Sequence, residues 1–419
     1  MSRSKRADDT LVTVLDVRRH REPPPSSFVN RSWAVSSAPA LLGARRLCAL
    51  ILFAVHLALP GIGGAQEPSE TASVPNAGLE RRQPLPPARA EVATVSINGV
   101  LRGGAQWIVN PPHARDAVFG FGAVDAVLSA RPTPDITALV DVEGVIGPGP
   151  DQTLGTLSRV NAESERLGED HDKRLWLREA WLRFQFLDGH VRFNLGKLDV
   201  THYFDRNFFA EDETRQFLDS ALLGDPLLRP PPNGPGAALR ISQGDWRYAL
   251  GVHAPGDFDG DLSGLPYFVF ELGRRDVLPL SGHYRLWTRV GSVPERRQDV
   301  TWATGFSLDQ LITADTGVFV RAALSRSEGE SLTSRAWSAG VQHAPAWLGR
   351  AKDLTGLGFS FQRELAGHEY MGEIYYNLSL ASCCSVIANV EWILSGPNQV
   401  TGRRNRDVII PGLRAVTVF

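Results

Sequence analysis

The sequence predicts an all-β chain, a 16-stranded antiparallel transmembrane β-barrel with an infolded constriction loop. Three observations lead there. Stretches of about ten residues alternate apolar and polar side chains, as strands do when lipid lies on one side and water on the other. Their connections alternate between short and long. The chain ends on Phe419, and the strand behind it puts Phe419, Thr417, Ala415, Leu413 and Ile409 on one face, with Val418, Val416 and Arg414 on the other.

Counted back from the C-terminus, strands are expected near 408–419, 385–394, 370–380, 354–362, 335–343, 316–325, 301–309 and 282–293. Eight more follow near 266–275, 245–253, 236–243, 188–197, 174–187, 135–146, 117–130 and 92–109. The even total suits a single-chain bacterial barrel. The short connections include Asp188-Gly189, Gly244-Asp245 and the segments DVLPLS and ASCC. Leu187-Asp188-Gly189-His190 between two alternating runs is a hairpin signal. The opposite set is mostly longer and more polar, and includes 147–173 and 198–235. A soluble sandwich has no reason to sort its loops this way.

Bulk properties narrow the function. The chain has 419 residues, formal charge -2 and 43% hydrophobic residues. No Lys-rich run exists to neutralise phosphates, so no nucleic-acid partner is expected. The ten histidines are scattered and no metal spacing stands out, so neither metal nor cofactor is expected. Of three cysteines, Cys48 lies in the leader, and the adjacent pair Cys383-Cys384 reads as two small turn residues. There is no Gly-x-Ser-x-Gly elbow, and the chain is not read as an enzyme.

Residues 1–65 read as a signal peptide with an extended n-region. Its apolar core, Leu47 to Leu59, is too short to span a bilayer, follows Arg45-Arg46 and precedes Gly63-Gly64-Ala65. Export by the general secretory route is favoured over the twin-arginine route, because a barrel crosses the inner membrane unfolded. Residues 66–90, rich in Pro, Glu, Ser and Ala, read as a disordered periplasmic leader, and 91–419 as the barrel. The expected location is the outer membrane of a Gram-negative bacterium.

The alternation assigns faces. Val191, Phe193 and Leu195 alternate with Arg192, Asn194 and Gly196. Tyr284, Leu286 and Val290 alternate with His283, Arg285, Trp287 and Arg289. A charge in lipid costs roughly 2–4 kcal/mol at the midplane, so the charged sets face inward. The inward set is rich in arginine: Arg102, Arg183, Arg192, Arg240, Arg247, Arg285, Arg289, Arg321 and Arg414. Inward acids are fewer: Asp141, Glu143, Glu179, Glu373 and Glu391. The excess of inward cations favours anions or neutral polar solutes over cations. Trp181, Trp287 and Tyr375 also point inward, where they either stack on sugar rings or pack against an infolded loop.

Residues 198–235 form the longest connection, and it is too apolar to sit in water. Tyr203, Phe204, Phe208, Phe209, Phe217, Leu218, Leu222 and Leu223 all need cover. Folded into the barrel, the loop would narrow the lumen and set Asp205, Glu211, Asp212, Glu213 and Asp219 against the arginine wall. Asp205, Arg206, Glu211, Asp212, Glu213 and Arg215 on the loop are the candidate constriction residues, with Arg183, Arg192, Arg240, Arg285, Arg289, Trp181, Trp287 and Glu373 on the wall.

Two blocks carry a family resemblance. One is LREAWLRFQFLDGHVRFNLGKLDVTHYFDRNFFAEDETRQFLDSALLGDP. The other runs through Glu373-Ile374-Tyr375-Tyr376-Asn377, then Val390-Glu391-Trp392-Ile393-Leu394-Ser395-Gly396-Pro397, to Gly412-Leu413-Arg414 and Phe419. In these the chain resembles the carbohydrate-selective (OprB-like) porins, with departures at Glu391-Trp392, where Gln-Tyr is usual, and in the basic block 398–407. The resemblance implies facilitated diffusion of sugars and similar small polar solutes. Its expected partners are outer-membrane lipid, the barrel assembly machinery acting on Phe419, and further copies in a homotrimer. The arginine wall leaves a small-anion-preferring general diffusion channel as the alternative.

Overall fold

The structure, a computed structural model, describes residues 94–419 apart from 111–116, 166, 168–172, 255–263, 294–295, 329–332 and 346–348. The expected signal peptide and leader lie outside the described residues.

Sixteen strands run in order around one closed wall. They are β1 (Thr94–Ile108), β2 (Ala117–Thr133), β3 (Ile136–Ile146), β4 (Lys173–Phe186), β5 (Val191–Leu198) and β6 (Gly234–Gln243). Next come β7 (Trp246–His253), β8 (Tyr267–Arg275), β9 (Gly282–Val293), β10 (Arg296–Leu311) and β11 (Thr316–Ser327). The circuit finishes with β12 (Ser334–His343), β13 (Leu354–Glu364), β14 (Gly367–Ser379), β15 (Cys384–Pro397) and β16 (Arg404–Val418). Every expected strand is present.

Phe419 sits in the seam that closes the wall. β1 pairs antiparallel with β16 from Val100↔Val418 to Gln106↔Gly412. Gly99 then donates its N–H to the Phe419 carbonyl at 2.8 Å, and Phe419 returns the bond at 3.0 Å. Closure leaves no unpaired sheet edge, the condition under which a β-structure can span lipid.

The outer wall is apolar: Leu195, Leu286, Ile374 and Leu413 are all exposed. Their sequence neighbours Asn194, Arg285, Glu373 and Arg414 are buried inside. The Leu187–Gly189 turn has positive φ throughout, 54°, 55° and 84°, as a tight hairpin requires. Short links at 134–135, 187–190 and 244–245 lie at the end of the barrel where Thr94 and Phe419 stand, and the longer connections from β3 to β4 and from β5 to β6 leave from the other. The connections from β9 to β10 and from β13 to β14, of that second set, span few residues as well.

One strand breaks its own alternation. Asp141 of β3 faces Glu179 of β4, and the next pair is Val142↔Leu177, so Arg178 is an extra residue. This bulge reverses the phase: Leu175 and Leu177 face lipid before it, Leu182 after it. Arg178 and Glu179, adjacent in sequence, thereby both reach the interior.

Candidate functional site

The 199–233 loop enters the barrel and carries the molecule's core with it. Phe204, Phe209, Phe217, Leu218, Leu222, Leu227 and Leu228 are buried. Phe204 and Leu228 pack on Tyr267, Val269, Trp287 and small wall residues Ala303, Ala323 and Ala336. Phe209, Phe217 and Leu222 pack on Phe319, Tyr375, Ile387 and Val416. The Phe217 ring meets Tyr375 edge-on at 5.0 Å. Full burial of such a side chain contributes roughly 1.5–3 kcal/mol, so the loop is held inside by its own hydrophobicity.

Wall charges satisfy the loop's backbone. Arg321 forms an ion pair with Asp205 at 3.0 Å. It also donates to the carbonyls of Leu222 at 2.9 Å and of Asp205 and Leu223 at 3.2 Å. Trp287 Nε1 donates to Asp205 Oδ1 at 3.2 Å. Glu271 accepts the Asp205 N–H at 2.8 Å. Arg289 donates to the Leu227 carbonyl at 3.0 Å. Glu373 accepts from the N–H groups of Leu218 and Asp219, at 2.9 and 3.0 Å. Arg414 reaches the Gln216 carbonyl. Asp219 caps the short helix α3 (Ser220–Leu223), accepting the Ala221 N–H at 2.6 Å. Burial and the nearby Glu373 push its carboxyl well above the usual range.

These bonds change the reading of several residues. Trp287, Arg289 and Glu373, expected at the lumen, lie beneath the loop and do not line the channel. Alternation shows which side chains point inward, but not which of them a loop then covers. Tyr375 is likewise buried and donates to Gln342 at 2.9 Å.

A second segment folds in, which the sequence reading did not foresee. Between β3 and β4 the chain forms α1 (Asp151–Leu154) and α2 (Ala162–Glu165). Leu154 and Val160 pack on Ile108, Met371, Ile393, Val408 and Ile410. Glu369 accepts from the N–H groups of Leu157 and Ser158 at 3.1 and 2.8 Å. Two backbone bonds stitch this segment to the longer loop: Ala162 to Leu218 at 2.9 Å and Ser220 to Arg159 at 3.0 Å. A signal was present. Val408-Ile409-Ile410 and Trp392-Ile393-Leu394 are unbroken apolar triplets within strands, so each puts an apolar residue on the inner face.

Between the loops and the remaining wall lies a cavity of about 2690 Å³. Among the arginines that line it are Arg183 on β4, Arg192 on β5, Arg240 on β6, Arg247 on β7 and, past β8, Arg285 on β9. Arg192 and Arg240 are register partners. Arg285 pairs with Asp309 at 2.8 Å, and Arg183 donates to Asn194 at 3.3 Å. The loop contributes Asp205, Arg206, Glu211, Asp212, Glu213 and Arg215 to the same cavity. Arg206 pairs with Glu211 at 2.5 Å. Burial opposes ionisation of Glu211, but that guanidinium outweighs it and holds the carboxyl below its ordinary value. Asp212 moves the other way, raised by burial and by Glu213.

The aromatic candidates are covered. Trp181 packs against Leu198, Tyr203 and Ala238 and borders the cavity, with the Arg183 guanidinium 4.8 Å above its ring. Asp125, Arg178, Asp199 and His202 also line the lumen and were missed as site residues. Arg178 and Glu179 as adjacent charges in a membrane strand were the visible clue.

No protein-family model matches this chain, and no curated protein matches it. Solved structures do. The high-pH structure of Pseudomonas putida OprB superposes with a TM-score of 0.62 at 12% identity, over 78% of this chain and 94% of that one. The low-pH structure of the same protein gives 0.50 at 12% identity, over 78% and 92%. The fold is that of the outer-membrane porins. At this identity the likeness concerns the fold, and membership of the carbohydrate-selective family is not established by sequence.

Proposed function

We propose that this chain is an outer-membrane porin of a Gram-negative bacterium that lets small hydrophilic solutes, sugars and related polyols among them, cross by diffusion. The observation that supports this most is the lumen: a cavity of about 2690 Å³ narrowed by a loop and lined by guanidinium and carboxylate groups together. Such a surface offers donors and acceptors in alternation to a solute rich in hydroxyls. Phe419 stands exposed at the barrel seam, accessible to the machinery that inserts barrels. Assembly as a homotrimer belongs to the same proposal.

A second reading has its own support. The arginines on β4 to β9 form a ladder, and Trp181 presents a ring already covered by Arg183. Both features favour small anions over ring stacking on sugars. Planar bilayers separate the two. The purified protein is expected to conduct ions, and a neutral sugar at millimolar concentration to lower the current. Anion permeation with no effect of any sugar would leave only the second reading.

A further inference from the structure

The wall beside the bulge is acidic in an arrangement that strands ordinarily avoid. Asp125 on β2 stands directly opposite Glu143 on β3, and Asp141 on β3 directly opposite Glu179 on β4. Two like-charged cross-strand pairs side by side repel. Three of the four carboxylates have identifiable relief. Arg102 reaches Asp125 at 2.6 Å and Glu143 at 3.6 Å. Arg178, turned inward by the bulge, approaches the same two at 3.8 and 3.9 Å. Glu179 accepts the Asp199 N–H at 2.9 Å and pairs with His202 at 2.9 Å.

Asp141 is different. It forms no ion pair among the described residues and is attracted by Arg178 only at longer range; it is 5% exposed, it borders the lumen, and its Oδ1, like Asp125 Oδ1 and Glu143 Oε2, has no hydrogen-bond partner. A buried carboxylate oxygen without a donor is costly. The donor it lacks can come from the lumen. No trio of His, Cys, Asp or Glu among the described residues has the spacing of a metal site. The fit is therefore to a group that brings both charge and N–H donors.

We propose that Asp141, with Glu179 opposite it, forms a subsite for the ammonium group of a passing solute, so that the channel favours amino sugars over their neutral counterparts. The inference rests on the porin reading and deepens it. Arg178, Arg102 and, at Glu179, His202 are the basic groups at this wall, and each is held by a neighbouring acid. The arginine ladder begins two residues beyond Trp181, at Arg183. A solute with an amine and several hydroxyls can then set its amine on the acidic wall and its hydroxyls on the ladder.

The test uses the full exported chain in planar bilayers at neutral pH, with D-glucosamine, D-glucose and N-acetylglucosamine as probes. Glucosamine is expected to halve the current at a roughly tenfold lower concentration than glucose, the scale of one charge-assisted hydrogen bond. N-acetylglucosamine, without the charge, is expected to behave like glucose. In Asp141→Asn and Asp141→Ser channels that still conduct, the ratio should fall to about one. Equal block by glucosamine and glucose in the natural protein would overturn the subsite. So would a ratio that survives both substitutions. A loss of potassium selectivity in these variants, with no glucosamine preference to begin with, would mean that Asp141 meets inorganic cations only, and would overturn it too. A membrane that never conducts would defeat the channel reading itself, and that failure is plainly distinct.

Discussion

Arg321 grips the loop through one carboxylate and three carbonyls, and so links the wall to Asp205, Leu222 and Leu223. Removing its charge strands the buried Asp205. Arg321→Met should lower stability by about 3–5 kcal/mol, the usual cost of breaking a buried ion pair from one side. Thermal unfolding in detergent would measure this, and adding Asp205→Asn should recover part of the loss. Asp205 also accepts the Asp225 N–H at 2.7 Å. Burial, and then the facing Asp205, push the Asp225 carboxyl from its ordinary 3.8 up to about 8. The sign follows from proton binding: between these values the folded state holds a proton that the unfolded state has released. This contribution to stability is whole below the lower value, declines as pH rises, and is gone above about 8. Asp225→Asn should flatten that part of the pH–stability curve, and an unchanged slope would assign the dependence to another group.

At the scale of elements, the loop is seated by aromatic rings set against glycines. At Gly317 of β11 a Cβ would stand 1.9 Å from the Phe209 ring. Gly317→Ala must displace that ring, and overpacking of this kind costs about 1–3 kcal/mol. The expected result is a noisier open channel in single-channel recordings, with the barrel intact. Deleting residues 205–219 removes the narrowing element altogether. Liposome swelling should then admit larger sugars than the natural protein passes, and unchanged exclusion would show that the loop does not set the width. The infolding was legible in the sequence because 198–235 carries more apolar side chains than water tolerates. The 147–167 segment was not, because its apolar content is thin and its support comes from distant strands β14 to β16. The bulge at Arg178 lay in plain view as two adjacent charges, but a strict period of two has no place for it.

For the whole molecule, the alternation between lipid and lumen made all sixteen strands readable, since a residue on the wrong face costs several kcal/mol. What alternation could not reveal is how the interior divides. One side of the inner wall is covered by the two loops, and its charges, Arg321, Arg289, Arg414 and Glu373, serve the fold. The other side, from Asp125 to Arg285, faces the lumen, and under the proposed function it is the side that sets what passes. Substitutions on the covered side should therefore act on stability, and those on the open side on selectivity. Arg192→Ala with Arg240→Ala should shift the reversal potential in a salt gradient toward cations while thermal stability changes little. The central claim is that a closed ring of strands encloses a water-filled path narrowed by a loop. Swelling of liposomes that contain the purified protein, in a series of sugars of increasing size, tests it most directly. Rapid entry of the small sugars with a sharp size limit is the predicted result, and liposomes as tight as protein-free ones would contradict it.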